Sequence, residues 1–369
     1  MSDDSQIIQA IESVQALSPY IPGKPVEELE RELGIQNIVK LASNENPLGP
    51  SPKVIEAIRQ ALPELTRYPD GSAFRLKAKL AEQLNIKSSQ ITLGNGSNDV
   101  LELIARAFLN KNDEVIFSQH AFAVYPIVTQ AVGAKAVVTP ALNWGHDLDA
   151  MEAAITNKTK LIFIANPNNP TGTWLSKGEL KAFLKQVPKH IIVVLDEAYA
   201  EYVNQENYPD GVRIHKRFEN VIITRTFSKA YGLASLRVGY SISTSHIADF
   251  LNRVRQPFNV NSLALTAAEA ALDDTDYLEK SIEANDSGKS QIKKALKEMN
   301  VNYISSMGNF LCVEFKGRAK FVNDELLKMG VIVRPIANYE MPDHLRVTIG
   351  TQQENEKFIQ CIKQILEIK

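Results

Sequence analysis

The sequence predicts an α/β fold, with a large domain built on a mostly parallel sheet covered by helices and a smaller α+β domain. Short apolar runs alternate with helical stretches through the middle of the chain. These runs are continuous rather than alternating, which indicates strands buried on both faces of a parallel sheet. The 369 residues also exceed the length at which one core keeps growing, so a second domain is expected.

The first 90 residues predict helices joined by breaker-rich loops. Residues 1–45 predict a helix, a turn rich in proline and glycine at 18–25, and an amphipathic stretch. Residues 42–52 hold too many prolines and glycines for regular structure and predict a linker. Helical periodicity then covers 53–62 and 73–84.

The middle of the chain predicts the sheet. Its apolar runs lie at residues 115–117, 136–138, 161–164, 191–195, 221–223 and 238–242. Ligands of such sheets bind beyond the carboxyl ends of the strands. Polar clusters that directly follow these runs are therefore candidate site residues.

The last third predicts helices and then a short α+β unit. Residues 247–300 are helical in pattern; strands follow at 310–315, 331–333 and 345–349, with helices near 320–328 and at the end. We expect residues 1–45 to accompany the small domain and the substrate entrance. The large cofactor-binding domain then spans 46–250, a connecting helix 251–275, and the small domain 276–369.

Composition excludes several classes of function. A net charge of −2 argues against a nucleic-acid-binding protein, which needs a basic face. Cys312 and Cys361 form no redox or zinc motif, and the six histidines show no metal-ligand spacing, so no metal is expected. No signal peptide and no apolar run of ~20 residues is present, which predicts a cytoplasmic protein without a membrane partner.

The most informative segment surrounds Lys229. This lysine follows an apolar run, lies between hydroxyl residues, and precedes Arg237 by eight positions. A lysine withdrawn from water loses its charge more easily and can attack a carbonyl. Hydroxyls at Thr226 and Ser228, with the arginine, suit a phosphate. The segment therefore predicts a lysine that holds a phosphorylated aldehyde, although alone it also fits a loop with an exposed lysine.

Two further clusters follow strands. Asn169 lies in the turn Asn166–Gly172 after one apolar run, and its amide can donate to a phenolate oxygen. Asp196 ends the next run, where a buried carboxylate needs a partner such as a protonated pyridine nitrogen, and Tyr199 follows three residues later. Taken alone, Asp196 could equally cap a helix.

Two arginines and one glycine-rich turn complete the candidate set. The turn at Gly96, Ser97 and Asn98 precedes a helix and can present backbone N–H groups to an anion, or can simply cap that helix. Arg346 lies within an apolar strand, and Arg334 lies near another. Each could bind a carboxylate or phosphate, or could face solvent.

In this order, these motifs resemble those of the fold type I aminotransferases that use pyridoxal 5′-phosphate, over nearly the whole chain. Four more phrases, at residues 19–25, 41–47, 67–71 and 253–259, are similar to those of histidinol-phosphate aminotransferases. The resemblance implies a seven-stranded sheet in the large domain. It also implies a homodimer with shared active sites, in which Tyr68 reaches the neighbouring subunit's site.

Residue roles follow from the same resemblance. Lys229 would bind the cofactor covalently and move the proton, with Asp196 and Tyr199 as the other catalytic residues. The cofactor would be bound by Tyr68, Gly96, Ser97, Asn98, Phe122, Asn169, Asp196, Tyr199, Thr226, Ser228, Lys229 and Arg237. The substrate would be bound by Tyr20, Asn44, Arg334 and Arg346. Phe122 stands where the family usually has tyrosine, so stacking is kept and a hydroxyl is lost.

The implied reaction belongs to histidine biosynthesis. L-Histidinol phosphate and 2-oxoglutarate would become imidazole-acetol phosphate and L-glutamate. Two alternatives on the same scaffold stay open from the residues: an aminotransferase for aromatic amino acids, and a decarboxylase of phosphothreonine type.

Overall fold

The computed structural model describes residues 9–20 and 22–367; the acidic amino terminus lies outside them. The helices are α1 (Glu12–Gln15), α2 (Val26–Leu33), α3 (Pro52–Ala61), α4 (Phe74–Leu84), α5 (Ser97–Phe108), α6 (Val124–Ala131), α7 (Leu148–Ala153), α8 (Lys177–Gln186), α9 (Gly211–His215), α10 (Ser245–Val254), α11 (Ser262–Leu272), α12 (Thr275–Glu298), α13 (Ala319–Lys328) and α14 (Gln352–Glu367). The strands are β1 (Val39–Lys40), β2 (Ile91–Gly94), β3 (Glu114–Ser118), β4 (Lys135–Thr139), β5 (Ala141–Leu142), β6 (Gly145–His146), β7 (Thr159–Ala165), β8 (Ile192–Asp196), β9 (Val221–Thr226), β10 (Gly239–Ile242), β11 (Tyr303–Ile304), β12 (Phe310–Glu314), β13 (Val331–Ile332), β14 (Arg334–Pro335) and β15 (His344–Thr348).

The large domain contains a seven-stranded sheet in the order β2-β10-β9-β8-β7-β3-β4. Strands β4, β3, β7, β8 and β9 pair in parallel, and β10 pairs antiparallel with both β9 and β2. The predicted α/β class and mostly parallel sheet are therefore confirmed. The carboxyl ends of β7, β8 and β9 lie side by side, which brings together the polar clusters that follow them.

Helices cover both faces of this sheet. One core packs α3, α4, α8 and α11 against one face, and a second packs α5, α6 and α10 against the other. The strand residues Ile162 and Phe163 show the alternation, since the first belongs to one core and the second to the other. Burial on both faces explains why these runs are continuously apolar.

Two strands depart from the sequence prediction. Strand β2 was not predicted, because it is only four residues long and carries Thr92 between two apolar residues. Strand β4 was predicted to be buried on both faces, which is wrong. It lies at the edge of the sheet, and Val138 is largely exposed.

The small domain is an α+β unit whose sheet has the order β11-β12-β15-β14. Its core packs this sheet against α12, α13 and α14 and includes Leu41 from the amino-terminal segment. That segment enters the small domain as β1, which pairs in parallel with β13. Beyond β1, the N–H of Leu41 donates to Ile332 and its carbonyl accepts from Thr348. Residues 39–44 are thus held beside the small domain, while the boundaries at 45, 250 and 275 stay a prediction.

Candidate functional site

A cavity of about 240 Å³ lies at the carboxyl edge of the large sheet, between it and the small domain. Every predicted site residue lines it except Gly96 and Tyr68. Strand ends supply Asp196 and Thr226, the amino-terminal segment supplies Asn44, and β15 supplies Arg346. Residues far apart in the chain are thus gathered around one space.

Lys229 lies in the turn after β9 and is half-buried. Its Nζ donates to the carbonyl of Ser43 at 3.2 Å and lies 5.8 Å from the centre of the Tyr199 ring. Burial, together with the positive charges of Arg346 and Arg237, lowers the pKa of Lys229 to about 7. A large share of its amine is therefore neutral near physiological pH and able to act as a nucleophile.

Asp196 ends β8 and is buried beneath the cavity. Its Oδ2 accepts from the hydroxyl of Tyr125 at 2.9 Å, and its Oδ1 accepts from Thr224 at 3.0 Å. Burial raises the pKa of Asp196, and these hydrogen bonds oppose the rise. A cation placed beside this carboxylate would compensate its buried negative charge.

Tyr125 was missed by the sequence reasoning. It lies on α6, is fully buried, and stacks on Phe163 with ring centres 4.5 Å apart. Phe122 meets it edge-on at 5.8 Å and lines the cavity. A tyrosine in an apolar helix gives no signal in the sequence, because its carboxylate partner is 71 residues away.

An anion-binding end of the cavity forms where α5 begins. The guanidinium of Arg237 donates to the Ser228 hydroxyl at 3.3 Å and to the Ala234 carbonyl at 2.9 Å. It lies so close to Gly96 that a Cβ there would come within 2.4 Å of Nη2, which only glycine avoids. The positive end of the α5 dipole at Ser97 adds to the charge of Arg237.

One side chain of β15, that of Arg346, organises the opposite wall. Arg346 is buried, and it donates to Oδ1 of Asn169 at 2.6 Å and to the carbonyl of Ala42 at 2.7 Å. Its buried Nε has no hydrogen-bond partner among the described residues, and Nη1 and Nη2 each have a second N–H that a ligand could use.

Tyr199 lies in the same part of the cavity. Its hydroxyl oxygen accepts from Nδ2 of Asn44 at 2.9 Å. Burial raises the pKa of Tyr199 to about 12, although Arg346 and the Asn44 hydrogen bond act in the opposite direction. The phenol therefore keeps its proton at neutral pH and can donate it in a hydrogen bond.

The remaining predicted residues lie at the cavity entrance or outside it. In the sheet, Arg334 of β14 lies opposite Arg346 of β15. The guanidinium of Arg334 lies 5.6 Å from the ring centre of Tyr20. Both line the cavity. Tyr68 is 83% exposed, stacks on Phe258 with ring centres 4.8 Å apart, and does not line the cavity.

Within residues 9–20 and 22–367, no cluster of three or more histidine, cysteine or acidic side chains could hold a metal ion. In the same ranges, no helix is long and apolar enough to cross a membrane.

Comparison with known proteins assigns the chain to a family. The family described as aminotransferase class I and II matches residues 36–362. The chain is 59% identical over 355 residues to histidinol-phosphate aminotransferase 2 of Pseudomonas fluorescens (strain Pf0-1), covering 96% of each chain. It is 57% identical over 368 residues to the protein of the same name from Pseudomonas aeruginosa, covering 99% of each.

A solved structure shows the same fold. Histidinol-phosphate aminotransferase from Sinorhizobium meliloti, in complex with pyridoxal 5′-phosphate, superposes with a TM-score of 0.91 at 28% identity and 98% coverage of both chains. A match of this extent covers both domains and the cavity between them. The chain therefore belongs to the class I and II aminotransferases.

Proposed function

We propose that this enzyme transfers the amino group of L-histidinol phosphate to 2-oxoglutarate, with pyridoxal 5′-phosphate as cofactor, in histidine biosynthesis. The observation that carries the proposal is one cavity that contains a lysine of lowered pKa, a buried carboxylate and three arginines, with Arg237 at one end and Arg334 and Arg346 on the opposite wall. Identities of 57–59% to enzymes named for this reaction, over nearly the full chain, support the choice of substrate.

The residues present fit the cofactor. Arg237, the amino terminus of α5 and the Ser228 hydroxyl suit its phosphate, with Thr226 beside them. The carboxylate of Asp196, whose pKa burial raises, suits a protonated ring nitrogen. The amine of Lys229 suits the aldehyde. When bound, the cofactor supplies an aldehyde that exchanges amino groups and a ring that accepts electrons from the substrate carbon.

The chain's own residues would transfer the proton and stabilise the charges that arise in the reaction. Lys229 would hold the cofactor, and its amine when free, with a pKa of about 7, could take a proton from the substrate carbon and return it. Asp196 would keep the ring nitrogen of the bound cofactor protonated. Tyr199 and Asn169 would donate hydrogen bonds to its phenolate oxygen, and Phe122 would offer an aromatic face to its ring.

Arg346 binds the acidic end of each substrate. Its planar guanidinium can donate two hydrogen bonds to either a carboxylate or a phosphate, because both anions offer two oxygens. Arg334 and Tyr20 lie nearby at the entrance and extend the same anion site. One site can therefore serve both halves of the reaction, in which the anion changes from phosphate to carboxylate.

A substrate comparison tests the proposal. Purified protein loaded with the cofactor is assayed for transfer from histidinol phosphate and from phenylalanine to 2-oxoglutarate, and for release of carbon dioxide from phosphothreonine. We expect kcat/KM for histidinol phosphate to exceed that for phenylalanine by about tenfold or more. Faster transfer from phenylalanine, or release of carbon dioxide, would favour one of the two alternative activities.

We also propose that the enzyme is a cytoplasmic homodimer with shared active sites. An apolar patch, formed by Leu62, Leu65, Tyr68, Phe74 and Phe258, is exposed around the loop that carries Tyr68. Such a cluster supports a protein contact. We expect Phe74→Glu to weaken the dimer in light scattering and Phe321→Glu, on the small domain, to leave it intact.

Mixing two inactive variants tests the shared site. Tyr68→Ala and Lys229→Ala carry their defects on different parts of the chain. If Tyr68 completes the partner's site, hybrids of the two variants contain one intact site and regain activity. A mixture as inactive as either variant alone would rule out sharing through Tyr68.

A further inference from the structure

A chain of hydrogen bonds runs from the small domain to the hydroxyl of Tyr199. The Thr348 hydroxyl donates to Oδ1 of Asn44 at 3.1 Å, and Nδ2 of Asn44 donates to the Tyr199 oxygen at 2.9 Å. All three side chains are at least 97% buried. Thr348 does not line the cavity, so it can act on the site only through its neighbours.

The direction of this chain follows from its donors. The backbone N–H of Asn44, which can only donate, donates to the Thr348 hydroxyl oxygen at 2.9 Å. The proton of that hydroxyl is then available for Oδ1 of Asn44. With Oδ1 facing Thr348, the NH₂ group faces Tyr199, and the phenol oxygen accepts. The proton of Tyr199 is thereby directed away from Asn44.

Asn44 is also fixed through its backbone. Its φ of 53° lies in the left-handed region, which asparagine tolerates better than most residues. Its carbonyl accepts from the amide of Asn309 at 3.1 Å. The side chain therefore leaves a rigid segment, and its amide orientation depends on Thr348 rather than on solvent.

We propose that Asn44 and Thr348 are positioning residues that orient the hydroxyl proton of Tyr199 toward the phenolate oxygen of the cofactor. This inference rests on the proposed function, because it assumes that pyridoxal 5′-phosphate binds in the cavity. In this inference, Asn44 positions Tyr199, whereas the family resemblance implied that it binds the substrate. It also gives strand β15 a role in cofactor chemistry beyond that of Arg346.

The arrangement has a measurable consequence. A hydrogen bond accepted by the phenol oxygen makes its proton a stronger donor, which stabilises the phenolate. Without Thr348, Oδ1 of Asn44 can turn and accept the Tyr199 proton instead. The phenolate oxygen of the cofactor then loses a hydrogen-bond donor. As a result, the Lys229 nitrogen bonded to the cofactor would hold its own proton more tightly. The pH midpoint of the visible absorption band should rise.

The experiment compares Thr348→Val with Thr348→Ser, each in the wild-type and Tyr199→Phe backgrounds. Valine keeps the shape of threonine without its hydroxyl, and serine keeps the hydroxyl. The readouts are the pH titration of the absorption of bound pyridoxal 5′-phosphate and the cofactor's dissociation constant. All four proteins keep the same charged and titratable groups around residue 199, which are Lys229, Asp196, Arg346, Tyr125, Tyr202 and Tyr339.

For Thr348→Val we expect the midpoint to rise by about 0.5 to 1 pH unit, the size of one neutral hydrogen bond. Thr348→Ser should keep the wild-type midpoint, and the valine effect should vanish when Tyr199 is phenylalanine. An unchanged midpoint in Thr348→Val overturns the inference. So does a shift that persists in Tyr199→Phe, because the effect would then bypass Tyr199.

A second variant covers the case in which Thr348→Val does not fold. Asn44→Gly keeps the left-handed backbone without strain and removes the amide. It should raise the midpoint in the same direction, and an unchanged midpoint overturns the inference. A wild-type protein that takes up no cofactor would overturn the proposed function, and this inference with it. Normal cofactor uptake without the predicted shifts would overturn the inference alone.

Discussion

The guanidinium of Arg346 donates to Oδ1 of Asn169 at 2.6 Å, so the small domain holds an amide of the large domain in a fixed orientation. The NH₂ group of Asn169 is left to face the cavity, where it can donate to the cofactor. In the proposed function, the same arginine would donate its remaining hydrogen bonds to a substrate anion. Substrate binding and cofactor binding would then be coupled through the Arg346 side chain.

Replacing Arg346 tests its role with the substrate. We expect Arg346→Ala to weaken the binding of both glutamate and histidinol phosphate by roughly 2–5 kcal/mol, because a desolvated charge loses its partner. Dissociation constants from spectral titration of the loaded enzyme measure this loss. Arg213→Ala, at an exposed position on α9, is the control and should bind both ligands as the wild type does. Unchanged affinity for both ligands in Arg346→Ala would contradict the assignment.

Replacing Asp196 tests the carboxylate beneath the cavity. Asp196→Asn keeps the size of the side chain but removes the negative charge that a protonated ring nitrogen would face. A buried ion pair that loses one member costs about 3–5 kcal/mol, so kcat should fall by about 10² to 10⁴-fold if that whole cost falls on the transition state. Stopped-flow measurement of the first half-reaction gives the rate, and circular dichroism checks the fold. Wild-type rates would remove the proposed role of Asp196.

The sequence predicted the parallel sheet and the cavity residues at strand ends from local signals, whereas Tyr20, Asn44 and Phe122 were predicted only from the resemblance to a family. Continuous apolar runs identify buried strands, and polar residues at their ends identify one edge of the sheet. Strand β2 was missed because four residues around Thr92 give too short a pattern. Tyr125 and Thr348 were missed for another reason. Their roles arise from contacts with Asp196 and Asn44 that lie 71 and 304 residues away in the chain.

The lowered pKa of Lys229 predicts how cofactor attachment depends on pH. The neutral amine attacks the aldehyde, and its share rises as the pH passes through about 7. Attachment of pyridoxal 5′-phosphate to the cofactor-free protein should therefore quicken about tenfold from pH 5 to 6, then level off above pH 8. The measurement traps the product with borohydride at timed intervals and locates the label by mass spectrometry.

Two controls accompany that measurement. N-acetyl-lysine methylamide, an unperturbed amine, should react faster with each pH unit up to ~10, because its pKa is ordinary. Lys229→Ala should carry no label in the cavity. A protein rate that keeps rising to pH 10, or a label on another lysine, would contradict the assignment of Lys229.

A buried ion pair lies behind Asp196, on β9 and the turn after β8. Arg225 on β9 donates through Nε and Nη2 to Oε2 of Glu197, at 3.0 and 2.8 Å, and Glu197 is fully buried. The other carboxylate oxygen is packed so tightly that a Cβ on Gly211 would lie 2.2 Å from it. Burial raises the pKa of Glu197, and Arg225 opposes the rise. Removing the arginine leaves a buried carboxylate without its counterion.

We expect Arg225→Met to lower the free energy of unfolding by about 3–5 kcal/mol at pH 8, and the double variant Arg225→Met with Glu197→Met to recover much of that loss. The direction in which this loss of stability changes with pH follows from the raised pKa of the Glu197 carboxyl. The carboxyl of Glu197 holds its proton more tightly in the native state than in the unfolded chain. The stability lost in Arg225→Met is therefore small at low pH and grows as the pH rises through the native pKa of Glu197.

Urea denaturation of the cofactor-free proteins at pH 5 and pH 8 measures both effects. Arg213→Met breaks an exposed pair with Asp210 and should lose far less stability at either pH. A double variant no more stable than Arg225→Met would show that the isolated charge of Glu197 is not the cause.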